Sequence, residues 1–216
     1  LESALADPAV RLVVLTNNGT TFCAGADLKA GAVGQRTEGN RHFVEIFEMI
    51  LQSEKPVIAR VAGNAMAGGL GLVCACDMAV AVSNARFGVP ETRVGLFPMM
   101  ILPYMMRIIP RRRLLEMCIT GELFDAEEAL ALDIVNYVVP AAELDAKVDL
   151  LLARIVDKSP TAIRIGKQMF RAVEDMTLDQ AFELTQVMLP RMAQSQDAKE
   201  GFAAFNEKRA PRWTGR

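Results

Sequence analysis

Residues 65–77 read AMAGGLGLVCACD. Before them, PVIARVAG (56–63) is an apolar, β-branched run with the character of a buried strand. From the paired glycines, GGLGLVCACD (68–77) predicts a helix. A strand that turns into a helix at glycine leaves the first N–H groups of that helix, and the positive end of its dipole, uncovered by side chains. Such backbone can hold a phosphate, or an oxygen that gains negative charge in a reaction. Glycines that only let the helix pack closely on the strand would look the same. Gly71, on the first turns of this helix, puts no side chain where a reactive group could stand.

A second run of small residues, CAGAD (23–27), also follows a strand, RLVVLTN (11–17), which ends at Asn18-Gly19. Two peptide N–H groups, one from each loop, would make an oxyanion hole. Neither loop has the spacing of a dinucleotide-binding G-x-G-x-x-G or of a P-loop. There is no G-x-S-x-G elbow, and the single histidine, His42, excludes a multi-histidine metal site. Cys74 and Cys76 lack the spacing of a zinc knuckle or a redox pair, so the four cysteines read as reduced thiols in a cytoplasmic protein.

The rest of the 216 residues fits an α/β core followed by helices. The opening residues read as the end of a helix and a turn at Asp7-Pro8. Residues 20–40 read as a loop, RHFVEIFEMILQSE (41–54) as a helix, MAVAV (78–82) as a strand and ARFGVPE (85–91) as a short extended piece. After Val139-Pro140 helical periodicity dominates, with breaks at Ser159-Pro160 and Met176-Thr177. Ser159 or Thr161, and Thr177, are the expected N-caps. The domain expectation is an α/β core over 1–139 and a helical region over 140–216.

Net charge is −2, and the one dense basic run, RRR (111–113), reads as a solvated helix face. That balance gives no reason to expect nucleic acid or an anionic membrane as partner. The most apolar stretch, VGLFPMMILPYMM (94–106), holds two prolines and is shorter than the roughly 20 residues a membrane span needs.

Taken together, FCAGADLK (22–29), AGGLGLVCACDMAVA (67–81) and ARFGVPETRVGLFP (85–98) resemble, in order, the patterns F-x-A-G-A-D-L, G-G-G-x-E-L-x-x-x-C-D and F-x-x-P-E-x-x-x-G-x-x-P of the enoyl-CoA hydratase/isomerase, or crotonase, superfamily. TGELFDAEEALALDIVNYVVP (120–140), KSPTAIRIGKQMF (158–170) and EGFAAFNEKRAPRW (200–213) extend the resemblance over essentially the whole chain. It implies a spiral of β-β-α turns with a C-terminal helical trimerisation region, and a homotrimer or dimer of trimers. It implies that the N–H groups of Ala24 and Gly68 hold the thioester oxygen. It also implies CoA contacts from Ala26, Asp27 and Leu28, and from Phe205 and Lys208 on the last helix. Coenzyme A would be part of the substrate, with no metal or other cofactor.

Three departures matter. The family's hydratases carry two glutamates; the second survives here as Glu91, but the first position is Gly71. One carboxylate still suffices to move a proton, so the resemblance best fits a 3-enoyl-CoA to 2-enoyl-CoA isomerase with Glu91 as acid and base. An enoyl-CoA hydratase and a non-catalytic acyl-CoA-binding protein are the alternatives. Asp77 or Glu48 could stand in for the missing acid. MMILPYMMRII (99–109) replaces the family's glycine-rich continuation and could line the acyl pocket or pack the core and a trimer contact. The family's N-terminal segment, including an N-R-P…N-A-L stretch, is expected ahead of Leu1.

Overall fold

The computed structural model describes residues 1–26 and 38–216. Helix α1 (Glu2–Ala6) precedes strands β1 (Val13–Thr16) and β2 (Thr21–Cys23). Helix α2 (Glu38–Gln52) leads to β3 (Val57–Val61), β4 (Asn64–Met66) and α3 (Gly68–Ala75). Then come β5 (Met78–Val82), β6 (Arg86–Gly88), a 3-10 turn over Pro90–Val94, α4 (Leu102–Ile108) and α5 (Arg111–Thr120). Strand β7 (Phe124–Asp125), α6 (Ala126–Ala131) and β8 (Tyr137–Val139) close this series. The helices α7 (Leu144–Val156), α8 (Pro160–Val173), α9 (Leu178–Ala193) and α10 (Gln196–Glu207) complete the chain.

The first six strands alternate between two sheets, after which β7 joins the second and β8 the first. One sheet has the order β1-β3-β5-β8 and the other β2-β4-β6-β7. Every pair is parallel except β6 with β7. A strand in the first sheet, a strand in the second and a helix therefore make one turn of a spiral, which occurs three times between β1 and α4. Strands β3 and β5 are central in their sheet and nearly all buried, which is why VIARV and MAVAV lack polar alternation. Phe47 and Ile50 of α2, Leu70 and Val73 of α3, and Phe87 of β6 join them in the core. Each such side chain contributes about 1.5–3 kcal/mol on burial.

The chain forms two compact units: Val13–Leu51 with Val57–Leu150, and Leu1–Leu12 with Gln52–Pro56 and Leu151–Arg216. The first holds both sheets. In the second, Ser159 caps α8 through its side chain, and Thr177 with Gln180 forms a capping box on α9. Asp197, 1 % exposed near the start of α10, accepts from the Ser159 hydroxyl at 2.8 Å and from the Thr214 amide at 2.7 Å. It thereby ties the C-terminal residues to the starts of two helices. The basic run at 111–113 lies exposed at the start of α5, with Arg113 paired to Glu116 and Glu128. Among the described residues no helix is long and apolar enough to cross a membrane.

Candidate active site

Strands β2, β4 and β6 are parallel neighbours, so their C-terminal ends lie at one edge of the sheet. Ala24 follows β2, Gly68 follows β4 after Ala67, and Glu91 follows β6 after Val89 and Pro90. In α/β folds the edge outside the strand carboxyl ends is where ligands bind.

Close backbone approach brings the first two together. A Cβ on Gly69 would lie 2.2 Å from the Cys23 carbonyl oxygen. A Cβ on Gly25 would lie 2.7 Å from the Ala67 Cβ and 3.3 Å from the Gly68 nitrogen. Gly25 has φ +91°, which suits glycine alone. Ala24, between Cys23 and Gly25, is thus held against the first turn of α3. Gly68 is the first residue of that helix, so its N–H has no intrahelical acceptor. Ala67, just before it, has φ 52° and ψ −125°, a conformation that costs an alanine about 1–3 kcal/mol. Its own amide donates to the Gly88 carbonyl at 2.9 Å, which helps to hold it there.

Glu91 sits in the 3-10 turn Pro90–Val94, where Gly95 closes the turn with φ 77°. Its carboxylate is half-buried, and Oε2 has no hydrogen-bond partner among the described residues. Burial raises its pKa above the ordinary carboxylate value, against a smaller lowering by a backbone hydrogen bond. Cys118 on α5 is fully buried, and burial together with the charge of Glu91 pushes its thiol up to about 11.

The side of α3 next to Gly68 is apolar. Gly71 lies one turn along the helix from Gly68. A Cβ on Gly71 would lie 2.2 Å from Ile101 Cγ2, 2.8 Å from Ile101 Cβ and 3.2 Å from Phe47 Cζ. A Cβ on Gly68 would meet Phe43 Cζ at 2.6 Å. Phe43 packs edge-on to Phe47 with ring centroids 4.7 Å apart, and Phe47 packs on Tyr104 at 5.4 Å. The position that the resemblance gives to a first glutamate is therefore filled by hydrocarbon.

The two acids that could have stood in are elsewhere. Asp77 lies past the C-terminal end of α3, where Oδ2 accepts from the Val57 amide at 2.7 Å. It lines a cavity of about 360 Å3 there, with Cys76, Arg107 and Asp133. Glu48 is exposed on α2, and its charge adds to the burial that raises the Tyr104 pKa. Of the methionines over 99–106, Met105 packs the core, whereas Met99, Met100 and Met106 are 68 %, 40 % and 60 % exposed.

The residues implied for CoA divide between the units. Ala26 is exposed just after the Gly25 turn. Asp27 and Leu28 lie outside the described residues. Phe205 is 83 % exposed on α10, and Lys208 ends that helix with φ 53°. Ile101 and Phe47 carry no motif, and Ala67 stands at the first glycine of the G-G-G-x-E-L pattern, a departure that sequence reading passed over. Only the departure of 99–109 from the family pattern pointed toward Ile101.

The profile of the enoyl-CoA hydratase/isomerase family matches residues 1–216. The chain belongs to that family. A carnitinyl-CoA dehydratase from Proteus mirabilis is 36% identical over 225 residues, covering 97% of this chain and 84% of the relative. The crystal structure of an enoyl-CoA hydratase from Mycobacterium smegmatis superposes with a TM-score of 0.91 at 34% identity, over 98% of this chain and 84% of that one. An enoyl-CoA hydratase structure from Bacillus anthracis gives 0.89 at 32% identity, over 100% and 85%. The protein is thus an enzyme of the crotonase superfamily, and its paired sheets and helices match those of the family's solved structures.

Proposed function

We propose that this enzyme converts a 3-enoyl-CoA thioester to the 2-enoyl-CoA isomer with a single carboxylate, Glu91. The observation that carries this reading is the combination of a half-buried Glu91, whose Oε2 has no hydrogen-bond partner among the described residues, with a Gly71 face closed by Ile101 and Phe47. A hydratase holds water between two polar groups; an isomerase needs only one base that gives back what it takes.

The thioester oxygen sits between the N–H groups of Ala24 and Gly68. Glu91 removes a proton from C2, and the C2–H electrons move into the conjugated system and onto that oxygen. The dienolate is held by the two backbone donors, each worth about 3 kcal/mol in the transition state. Glu91 then delivers the proton to C4, the double bond settles between C2 and C3, and the carboxylate is regenerated. Its raised pKa brings it closer to that of the carbon acid it must serve and makes the returned proton available. The CoA moiety is bound by Ala26, Asp27 and Leu28 at the first loop and by Phe205 and Lys208 of a neighbouring subunit, and no metal or separate cofactor takes part.

The active form is a homotrimer or a dimer of trimers. Phe170, Leu178, Phe182, Leu189 and Phe202 of α8–α10 are all more than half exposed in the single chain, which supports a subunit contact there.

The test is ultraviolet absorbance of the conjugated enoyl thioester. The expected result is a rise with 3-enoyl-CoA and no fall with 2-enoyl-CoA. A second reading, water addition or elimination, is favoured by the names of the relatives. A fall with 2-enoyl-CoA and a flat trace with 3-enoyl-CoA would replace the isomerase by that reading.

A further inference from the structure

We propose that Ile101 is the residue that fixes the reaction class, because it seals the Gly71 side of the site against both a second carboxylate and water. The inference builds on the isomerase reading above and adds a residue that no motif marks.

Gly68 and Gly71 share one face of α3, so position 71 stands one turn from the N–H on which the thioester oxygen is proposed to rest. The three atoms that a Cβ on Gly71 would meet first are Ile101 Cγ2, Ile101 Cβ and Phe47 Cζ, all carbon. Ile101 is 2 % exposed and Phe47 fully buried, so neither is free to swing into solvent. Water needs two or more polar partners to occupy a buried site, and these three nearest atoms offer none. The loss of the first acid is therefore not confined to one position. Ile101, 30 residues further on at the start of α4, has taken the volume that acid would need.

Two consequences separate this from a simple missing glutamate. Restoring the carboxylate alone fails, because its Cβ collides with Ile101. Truncating Ile101 alone also fails, because the space opened is apolar and stays dry. Only the pair of changes admits water. Alanine at 101 would retain the Cβ that stands 2.8 Å from the new one, so the truncation must be to glycine. Residue 101 is the N-cap of α4, a position where glycine is well tolerated.

The experiment compares full-length wild type, Gly71→Glu, Ile101→Gly and the double variant. Melting temperature and the formation of 3-hydroxyacyl-CoA from 2-enoyl-CoA are measured for each. Gly71→Glu is expected to lose about 5 °C or more and to gain no hydration. Ile101→Gly alone is expected to gain no hydration. In the double variant Gly71→Glu costs far less than it does alone, and hydration rises about 100-fold or more over wild type. Hydration by Gly71→Glu alone at an unchanged melting temperature would overturn the proposal, and so would a folded double variant that does not hydrate. If the double variant does not fold, Gly71→Ala with and without Ile101→Gly decides: the clash predicts strongly non-additive melting shifts, and additive shifts overturn the seal. A wild type that fails on 3-enoyl-CoA would sink the isomerase reading by itself and leave these melting shifts unaffected.

Discussion

The Ala67 amide donates to the Gly88 carbonyl at 2.9 Å, and that bond joins the two chain segments on which the proposed chemistry depends. Ala67 leads into Gly68 and the start of α3; Gly88 leads into Glu91. The Gly68 amide and the proposed base thus follow neighbouring strands of one sheet. The hydrogen bond also helps hold Ala67 at φ 52°, where an alanine is strained.

Substitution at Ala67 reads this strain directly. Ala67→Gly is expected to leave stability unchanged or raise it by about 1 kcal/mol, although glycine usually weakens a folded chain. Ala67→Val is expected to cost about 2 kcal/mol or more and to lower turnover along with it, because the Gly68 amide shifts. Denaturant unfolding of the two variants measures this. A glycine variant less stable than wild type by the usual glycine penalty would mean that the strained conformation is not populated.

Gly25 provides an independent handle on the same contact. Gly25→Ala forces a side chain into φ +91° and into the Ala67 Cβ. The expected loss is about 1–3 kcal/mol in stability, with a fall in kcat larger than any change in KM, since the loop carrying Ala24 moves relative to Gly68. Steady-state kinetics on a 3-enoyl-CoA separates the two: an unchanged kcat would argue that Ala24 is not an oxyanion donor.

The pH dependence follows from Glu91. The base works as the carboxylate, so kcat/KM is expected to rise with pH through a pKa above the ordinary glutamate value. For stability the sign is opposite. A pKa raised in the folded state means that protonation favours folding, so this contribution is present below the unfolded pKa and is lost as pH rises through the folded one. Glu91→Gln is accordingly expected to lower turnover by about 100-fold or more while raising stability at neutral pH. A variant that loses activity and also becomes less stable would point to a structural role for the carboxylate.

Much of this fold was legible because its longer elements carry a clear pattern. Strand β5 is the MAVAV run itself, and α8 and α9 begin at the Ser159 and Thr177 caps. Among the strands that escaped were β2 and β4, each three residues long and set among small residues. Strands that short have no periodicity of their own; parallel neighbours make them strands. Glu91, Ala24 and Gly68 were legible as motif positions, and the topology gathers them at one sheet edge. The closing of Gly71 by Ile101 was not, because it is a packing relation between distant residues with no local sequence cost. Asp197 was missed for a related reason: near a helix start it looks like any acidic first-turn residue, and its burial depends on the returning C-terminus.

Cysteine chemistry tests the burial of the sheet-edge helices. Burial pushes the Cys74 thiol up to about 12, and Cys118 is raised to about 11. Thiolate is the reactive form, so both are expected to stay unmodified by a disulfide reagent at about pH 8, while the partly exposed Cys23 and Cys76 react. All four should react in denaturant. Rapid labelling of Cys118 in the native enzyme would show that the turn carrying Glu91 opens away from α5.

Asp197 predicts where acid weakens the helical unit. Burial alone would raise its pKa, but hydrogen bonds from the Thr214 amide, the Ser159 hydroxyl, Thr161 and the Gly215 amide outweigh that and bring it down to about 2. A depressed pKa stabilises the fold above the ordinary carboxylate value, and that share is lost as pH falls from about 4 through about 2. Asp197→Asn, with a neutral amide in place of the acceptor, is expected to cost about 2–3 kcal/mol at neutral pH and to flatten this acid limb. Thermal unfolding across pH 2–7 compares the two proteins. Parallel curves would mean that the carboxylate does not hold residues 214–216 to the starts of α8 and α10; convergence at the acid end is the expected result, because wild type then loses the charge that the variant never had.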